Sequence, residues 1–231
     1  MTWTLLQPTA ALVVFGGTGV ALLMSFPIAT LRRALRAVQL AFSASPPRPR
    51  ALISRFSQYA LRSRRRGVMA LEPDIAGEPD RFLARALTLA IDGMPQAALR
   101  QALDIDSRAR EDADLECADV LEAAAGYAPT LGILGAVLGL IQVMEHFAAP
   151  ASIGSGIAVA FVATVYGVAS ANLVLLPLAT RIRGRAGEAF LARAVVIEGT
   201  LGLQQGLHPR MIETHLDGFL RAGEQERVRA A

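Results

Sequence analysis

A chain of 231 residues could form one or two soluble domains, but 53% of its residues are hydrophobic and its mean hydropathy is +0.40, which favours a membrane protein. All 23 basic residues are arginine, so where the arginines cluster is more informative than the small net charge of +3. One cysteine and three histidines exclude a disulfide within the chain and leave zinc chemistry almost no ligands.

The first predicted element is a membrane-spanning helix in the uncharged run Met1–Leu31. A helix needs about 20 apolar residues to cross a bilayer, and this run is longer than that. A cleaved signal peptide is the competing interpretation, but the run lacks a positively charged start and an evident small-residue cleavage site. We therefore predict a span whose N-terminus lies outside.

A strongly basic segment follows this span. Ten arginines and no acidic residue lie between Arg32 and Arg66, and basic residues that flank spans stay on the cytoplasmic side. The proline-rich stretch "SASPPRPR", Ser43–Arg50, should end the helix that extends from the first span. Residues 32–122 are predicted to form a cytoplasmic helical loop domain.

An amphipathic helix is predicted within that domain, in "DRFLARALTLAIDG", where Gly93 closes the pattern. Its apolar face consists of Phe82, Leu83, Ala86, Leu87, Ala90 and Ile91. The following segment repeats the pattern with Leu99 and Leu103, and Ser107–Glu122 could run straight into the next span. These faces require partners, so a compact helical bundle is expected.

Two further spans are predicted to form a hairpin over residues 123–180. The apolar runs are Ala123–Met144 and Phe147–Thr180, and the turn-like composition of Ala148–Gly156 predicts a tight link between them. The link has no basic residue, whereas arginines at 181, 183 and 185 follow directly, so the tail over residues 181–231 is predicted to be cytoplasmic. Its two helical patterns are separated at Gly206–Arg210.

Small residues dominate the apolar runs. In lipid such residues allow close helix contact, within the hairpin or with another chain, and their number favours self-assembly or a partner helix. They are Gly16, Gly17, Gly19, Gly132, Gly135, Gly139, Ala160, Ala163, Gly167 and Ala171. Thr164, Ser170 and Asn172 can form hydrogen bonds within or between helices, while Pro129 and Pro177 each free a carbonyl one turn earlier.

No aspartate, glutamate, lysine, arginine or histidine lies in the core of any of the three predicted spans. Ion transport through a membrane normally needs such a group at depth. We therefore expect that the chain alone is not a complete ion pump. An enzyme is not expected, because the sequence has no nucleophile with a paired base, phosphate loop or metal cluster.

Several motifs, in order along most of the chain, resemble the MotA/PomA flagellar stator family, a branch of the MotA/TolQ/ExbB proton channel superfamily. They are "GVMALE" (67–72), "IDG" (91–93), "YAPTLGILGAVLGLI" (127–141), "SIGSGIAVAFVATVYGVASANLVLLPLA" (152–179) and "IEGTLGLQQGLHPRMIETHL" (197–216). The resemblance implies an all-α protein of the bacterial inner membrane. It also implies a pentamer around a dimer of a MotB-type subunit, whose membrane aspartate carries the ion, and torque on the rotor protein FliG. No cofactor and no nucleic-acid partner are expected.

The resemblance also assigns roles to individual residues. Arg64 and Glu72 match the charged pair proposed to contact the rotor. Thr164 matches a threonine that lines the ion path, and Pro129 and Pro177 match prolines linked to conformational change. Ala136 stands where sodium-driven members have a threonine, so the absence of a hydroxyl there favours protons over sodium.

The chain also departs from the family pattern. Family members have four spans, and the first run here resembles the second of these, so the usual first span has no counterpart; a misplaced start, a truncation and a real loss each remain open. Pro73 directly follows Glu72 and is expected to push it out of helical geometry. The competing functions are a TolQ/ExbB-like energiser of an envelope process and a non-conducting membrane scaffold.

Overall fold

The structure, a computed structural model, describes residues 7–43, 49–145 and 150–230. Within these ranges the regular elements are all helices and no strand occurs, which confirms the predicted all-α class. The helices are α1 (Pro8–Ser25), α2 (Ile28–Ser43), α3 (Pro49–Arg66), α4 (Glu72–Ala76), α5 (Arg81–Ile91), α6 (Gln96–Glu145), α7 (Pro150–Ala169), α8 (Leu176–Gln204) and α9 (Pro209–Ala230).

Three of the described stretches are long and apolar enough to cross a membrane. They are α1, the apolar part of α6, and the continuous helical run Gly156–Gln204. The predicted number of three spans is confirmed. Two π-helical turns interrupt the regular geometry: Leu12–Gly16 lies inside α1, and Ser170–Leu175 joins α7 to α8.

The structure divides the first predicted run at Phe26. Phe26 is extended, with φ −131° and ψ 146°, and Pro27 follows it, so α1 ends at Ser25 and a separate helix begins at Ile28. Proline has no N–H to donate and favours an extended residue before it. Helix α2 then ends at Ser43, where the proline-rich stretch begins; residues 44–48 of that stretch lie outside the described residues.

The predicted link at Ala148–Gly156 between the second and third spans is wrong from Pro150 onward. Helix α7 begins at Pro150 rather than after Gly156, and residues 146–149 lie outside the described residues. Proline is well suited to the first position of a helix, where its missing N–H is not needed. Gly156, which the sequence placed at the end of the link, instead lies against α6, where a Cβ atom would be 3.4 Å from the carbonyl oxygen of Gly139.

The expectation for Glu72 is also wrong. Glu72 has helical angles, φ −54° and ψ −42°, and begins α4 after a 3₁₀ turn at Val68–Leu71. Pro73 occupies the first turn of α4, where a helix accepts proline. The turn before it opens at Gly67, whose φ of +80° favours glycine.

The chain forms two compact units. Unit 1 comprises Met1–Ala44 and Asp114–Gly184, and unit 2 comprises Ser45–Ala113 and Arg185–Ala231. Helix α6 contributes its first residues to unit 2 and the rest to unit 1. The long predicted run from Ser107 into the second span is therefore a single helix.

Glycine contacts hold the hairpin of unit 1 together. A Cβ atom at Gly132 would lie 2.9 Å from the carbonyl oxygen of Ala163, and one at Gly167 would lie 2.5 Å from that of Ala128. A Cβ at Gly139 would approach the backbone nitrogen of Ala160 to 3.1 Å. The small residues of the second and third spans thus serve backbone-to-backbone packing between α6 and α7.

Unit 2 has an apolar core to which α3, α5, α6, α8 and α9 contribute. The predicted face of α5 is buried except for Ile91, which is half-buried. Asp80 caps this helix by accepting hydrogen bonds from the N–H groups of Phe82 and Leu83, and Gly93 closes it with a φ of +75°. Leu99 and Leu103 are fully buried beside it.

Candidate functional site

Thr164 lies on α7 beside the closest contact of the hairpin. It is half-buried, and its hydroxyl donates to the carbonyl oxygen of Ala160 at 3.3 Å. Its neighbour Ala163 is fully buried against Gly132 and Gly135. The packing of Ala163 therefore fixes the side of α7 from which the Thr164 side chain projects.

An open recess of about 500 Å³ lies along this part of α7 and the π-helical turn after it. It is lined by Thr164, Val165, Val168, Ala169, Asn172 and Leu173. Its polar side chains are the Thr164 hydroxyl and the Asn172 amide, whose Nδ2 donates to the carbonyl oxygen of Val168 at 2.9 Å. The six lining residues include no ionisable group, so the recess can offer neutral oxygen ligands but cannot itself carry a proton as an acid.

Ala136 belongs to the same level of the hairpin. It is half-buried and follows Gly135, where a Cβ atom would lie 2.9 Å from the Cβ of Ala163. Gly135 and Ala163 thus form one contact between α6 and α7, and Ala136 and Thr164 directly follow these two residues in sequence. The structure brings these two predicted residues to one depth and supplies a hydroxyl from Thr164 alone.

The two predicted hinge prolines lie in different settings. Pro129 lies inside α6, and its Cα would be 3.0 Å from a Cβ at Gly167. Pro177 is exposed and follows directly on the π-helical turn, at whose end the N–H of Leu176 donates to the carbonyl oxygen of Ala171, five residues back. The π-helical turn lies just before Pro177, which has no N–H to donate. Such turns often mark functional sites.

Arg64 and Glu72 lie on either side of the Gly67 turn in unit 2. Both are exposed; Arg64 is in the last turn of α3 and donates to the carbonyl oxygen of Gly206 at 3.3 Å. No ion pair joins these two side chains. Beside the Gly67 turn, a recess of about 470 Å³ is lined by Arg62, Arg65, Arg66, Ala70, Pro73 and Asp74.

Sequence reasoning missed two features of this surface. Arg62 forms an ion pair with Asp74 at 2.8 Å, which ties the end of α3 to α4. Tyr59, one turn earlier, is buried and its hydroxyl accepts a hydrogen bond from Arg55 at 2.9 Å. Burial raises the pKa of the Tyr59 phenol, and Arg55 opposes this only in part. The short distance in sequence between Asp74 and the arginines of α3 was the signal that could have indicated this ion pair.

Ion pairs also link helices within unit 1. Arg183 of α8 contacts Asp119 at 3.1 Å and Glu122 at 2.6 Å, both on α6, and Arg33 of α2 contacts Glu116 at 2.8 Å. Arg183 donates a hydrogen bond to the Glu122 carboxylate, and this contact raises the pKa of the Arg183 guanidinium. The sequence identified these arginines only as markers of orientation. No cluster of three potential metal ligands occurs in the described ranges.

Comparison with known proteins gives a consistent family. The sequence model of the MotA/TolQ/ExbB proton channel family matches residues 75–194, just over half of the chain. Motility protein A of Bacillus subtilis (strain 168) is 32% identical over 222 residues, which cover 96% of this chain and 82% of that protein. Chemotaxis protein PomA of Vibrio alginolyticus is 29% identical over 94% of this chain and 85% of its own length.

Solved structures agree with the sequence relatives. The flagellar MotAB stator complex from Bacillus subtilis superposes with a TM-score of 0.85 at 32% identity, covering 99% of this chain and 89% of the matched chain. The structure of C. jejuni MotAB gives a TM-score of 0.87 at 25% identity, covering 93% of this chain and 84% of the matched chain. The architecture described above is therefore that of these stator chains.

Proposed function

The chain belongs to the MotA/TolQ/ExbB proton channel family and is a channel subunit rather than an enzyme, and we propose that, with a MotB-type partner, it couples ion flow to the rotation of a flagellar motor. Its relatives include motility protein A and PomA, and the matched structures are MotAB stator complexes. The function of this chain is accordingly that of a stator subunit.

The observation that carries this mechanism is the recess on α7. It offers the Thr164 hydroxyl and the Asn172 amide to a passing ion but no ionisable group. The MotB-type partner then supplies the carboxylate that binds and releases the ion, and Thr164 lines the path beside it. Pro129 and Pro177 let the surrounding helices change conformation as the ion is transferred.

We infer that the ion is a proton. Ala136 lies at the depth of Thr164 but has no hydroxyl, so this level of the hairpin offers one side-chain oxygen where a threonine at position 136 would provide a second. A sodium ion needs several oxygen ligands to replace its water shell, whereas a proton passes between a carboxylate and water.

Torque is proposed to leave the chain at the surface around Arg64 and Glu72. Both side chains are exposed, and the arginines at the end of α3 face a recess that an acidic surface could enter. The partner at this surface is the rotor protein FliG, and the assembly is a pentamer around two MotB-type chains. The complex lies in the bacterial inner membrane with the N-terminus outside.

The experiment that tests this function is complementation of a strain that lacks its stator. The chain is expressed with a MotB-type subunit, and swimming and proton flux into inverted vesicles are measured. We expect both activities, and we expect a partner whose membrane aspartate is changed to asparagine to assemble with the chain without supporting either. Failure to co-purify with any MotB-type chain, or conduction that powers an envelope process but never swimming, would contradict the proposal.

A further inference from the structure

Helix α2 leaves the end of the first span as an amphipathic helix. It begins at Ile28, two residues after the extended Phe26 that ends α1, and runs for 16 residues. At about 1.5 Å per residue, it is about 24 Å long. Because α1 is apolar enough to cross a membrane, α2 begins where the bilayer meets water.

One face of α2 is occupied within unit 1. Thr30, Ala34 and Ala41 are almost fully buried. Ala34 and Ala41 belong to an apolar cluster with residues of α6 and with Ile182 of α8. Arg33 forms its ion pair with Glu116 at the edge of this face. The packing fixes the rotation of α2 about its axis, and so it also fixes which side chains point away.

The side of α2 next to this buried face carries an exposed apolar row at intervals of seven residues. Ile28, Leu35 and Phe42 are 60%, 64% and 68% exposed. In water these three side chains would leave a continuous apolar strip uncovered along the whole helix. Phe26 and Pro27 place that strip directly after a membrane span, where acyl chains are within reach.

Two arginines stand beside the row. Arg32 and Arg36 are exposed and, within the described part of the chain, take part in no ion pair. At the far end, the guanidinium of Arg181 stacks over the Phe42 ring at 5.2 Å, and its Nε donates to the carbonyl oxygen of Ala41 at 2.9 Å. The sequence contains no acidic residue before Glu72, so nothing near in sequence offsets this charge.

A second protein helix fits this face less well than lipid does. A helix–helix seam needs apolar residues at i+3 or i+4 as well as i+7. The i+3 positions, Leu31 and Val38, are apolar, but both are half-buried and already pack against the apolar cluster of unit 1. The i+4 positions are Arg32 and Gln39. An exposed apolar row with arginines along one side is instead typical of helices that lie in the membrane interface.

We propose that α2 binds anionic phospholipids: Arg32 and Arg36 contact the headgroup phosphates, while Ile28, Leu35 and Phe42 insert between the acyl chains. Guanidinium groups form strong charge-assisted hydrogen bonds to phosphate oxygens. This surface is separate from the recess on α7 and is not required by the ion pathway described above.

The test measures which lipid lies next to α2 in the full-length chain. The single tryptophan is replaced (Trp3→Phe) and a reporter is introduced in the row (Leu35→Trp). The chain is reconstituted in vesicles of phosphatidylcholine and phosphatidylglycerol in which one lipid or the other is brominated, because bromine quenches a neighbouring tryptophan. We expect phosphatidylglycerol to be preferred at the reporter, by about fivefold for each contacting arginine at low salt, and the preference to fall in high salt.

Matched variants separate this proposal from its alternatives. Arg32→Gln with Arg36→Gln should abolish the preference, Arg32→Lys with Arg36→Lys should keep most of it, and Arg108→Gln with Arg221→Gln, which removes the same charge from unit 2, should leave it unchanged. A reporter at Leu23, which is 59% exposed on α1, should be quenched equally by both lipids. Equal quenching at position 35 by both lipids would overturn the proposal, and so would no quenching by either, which would indicate that another protein chain covers the row.

Discussion

At the scale of single residues, the Thr164 hydroxyl is the feature most open to direct test. Thr164→Val removes the hydroxyl and keeps the volume, so the hairpin should still assemble. We expect proton flux to fall by about fivefold to tenfold, because one hydrogen bond contributes about 1 kcal/mol. The measurement is flux in vesicles together with swimming speed. Thr180→Val removes a hydroxyl that also donates within its own helix, to Leu176 at 3.0 Å, and serves as the control; unchanged flux in Thr164→Val would remove this residue from the ion path.

The role of Arg64 depends on charge, and charge reversal tests it. Arg64→Glu should reduce torque and should be rescued in part by the opposite reversal on the rotor. Arg64→Gln loses the attraction without adding repulsion, so its torque should lie between that of the natural chain and that of Arg64→Glu. Since Arg64 also donates to the Gly206 carbonyl, the folded state of each variant is checked by circular dichroism. Full torque from the glutamate variant would exclude this residue from the rotor contact.

Tyr59 should make the stability of unit 2 sensitive to alkali. Its folded-state pKa is raised above the usual value of 10.0 by burial, so the folded state keeps the phenolic proton where the unfolded state loses it. The stabilisation is therefore complete below pH 10 and is lost as the pH rises through the folded-state pKa. The midpoint temperature of unfolding, followed by circular dichroism, should fall more steeply above pH 10 in the natural chain than in Tyr59→Phe. Each midpoint is compared with its value at pH 7. The same pH dependence of the unfolding midpoint in both chains would contradict a raised pKa of Tyr59.

At the scale of elements, Pro177 and the π-helical turn before it together interrupt the regular helix between α7 and α8. Pro177→Ala restores an N–H that can donate to the Leu173 carbonyl, which would allow α7 and α8 to continue as one regular helix. We expect normal expression and slower swimming, because the π-helical turn before position 177 would no longer be favoured. Pro209→Ala provides the control, since Pro209 begins α9 where no N–H is needed. Equal speed in both variants would argue against a conformational role for this turn.

Local signals determined how much of each element could be predicted. Helix α5 was predictable because a capping aspartate, an apolar face and a closing glycine agree at Asp80, Leu83 and Gly93. The start of α7 was not, because small residues suit both a turn and a close helix contact, and only the position of the other helix decides between them. The π-helical turn inside α1 has no evident sequence signal, whereas Pro177 gave a partial signal for the other one.

The sequence predicts residues for the candidate site but not the shape of the recess that they line. Thr164, Ala136 and Pro129 were identified from motif resemblance, and in the structure each is half-buried and adjacent in sequence to a residue of the contact between α6 and α7. Asn172 was noted only as a possible hydrogen-bond donor. Its place in the same recess as Thr164 depends on the helical geometry from α7 into the π-helical turn, which composition does not encode.

At the scale of the whole molecule, the distribution of ionisable groups makes a prediction about the chain on its own. The apolar parts of the three spans contain none, so purified chain in vesicles should not move protons at a rate comparable to that of the complex. Addition of the MotB-type subunit during reconstitution should restore flux. The measurement is the decay of an imposed pH gradient, with empty vesicles as the baseline. Rapid flux through the isolated chain would show that it carries its own proton relay.

The tight contact between α6 and α7 has a mechanical consequence. Where Gly167 meets Ala128 there is backbone on both sides and no layer of side chains that could change rotamer to absorb a displacement. The two helices should therefore move together as one stiff unit, and any change of aperture during transport should occur at its margin, where Ser170–Leu175 breaks the regular geometry after α7.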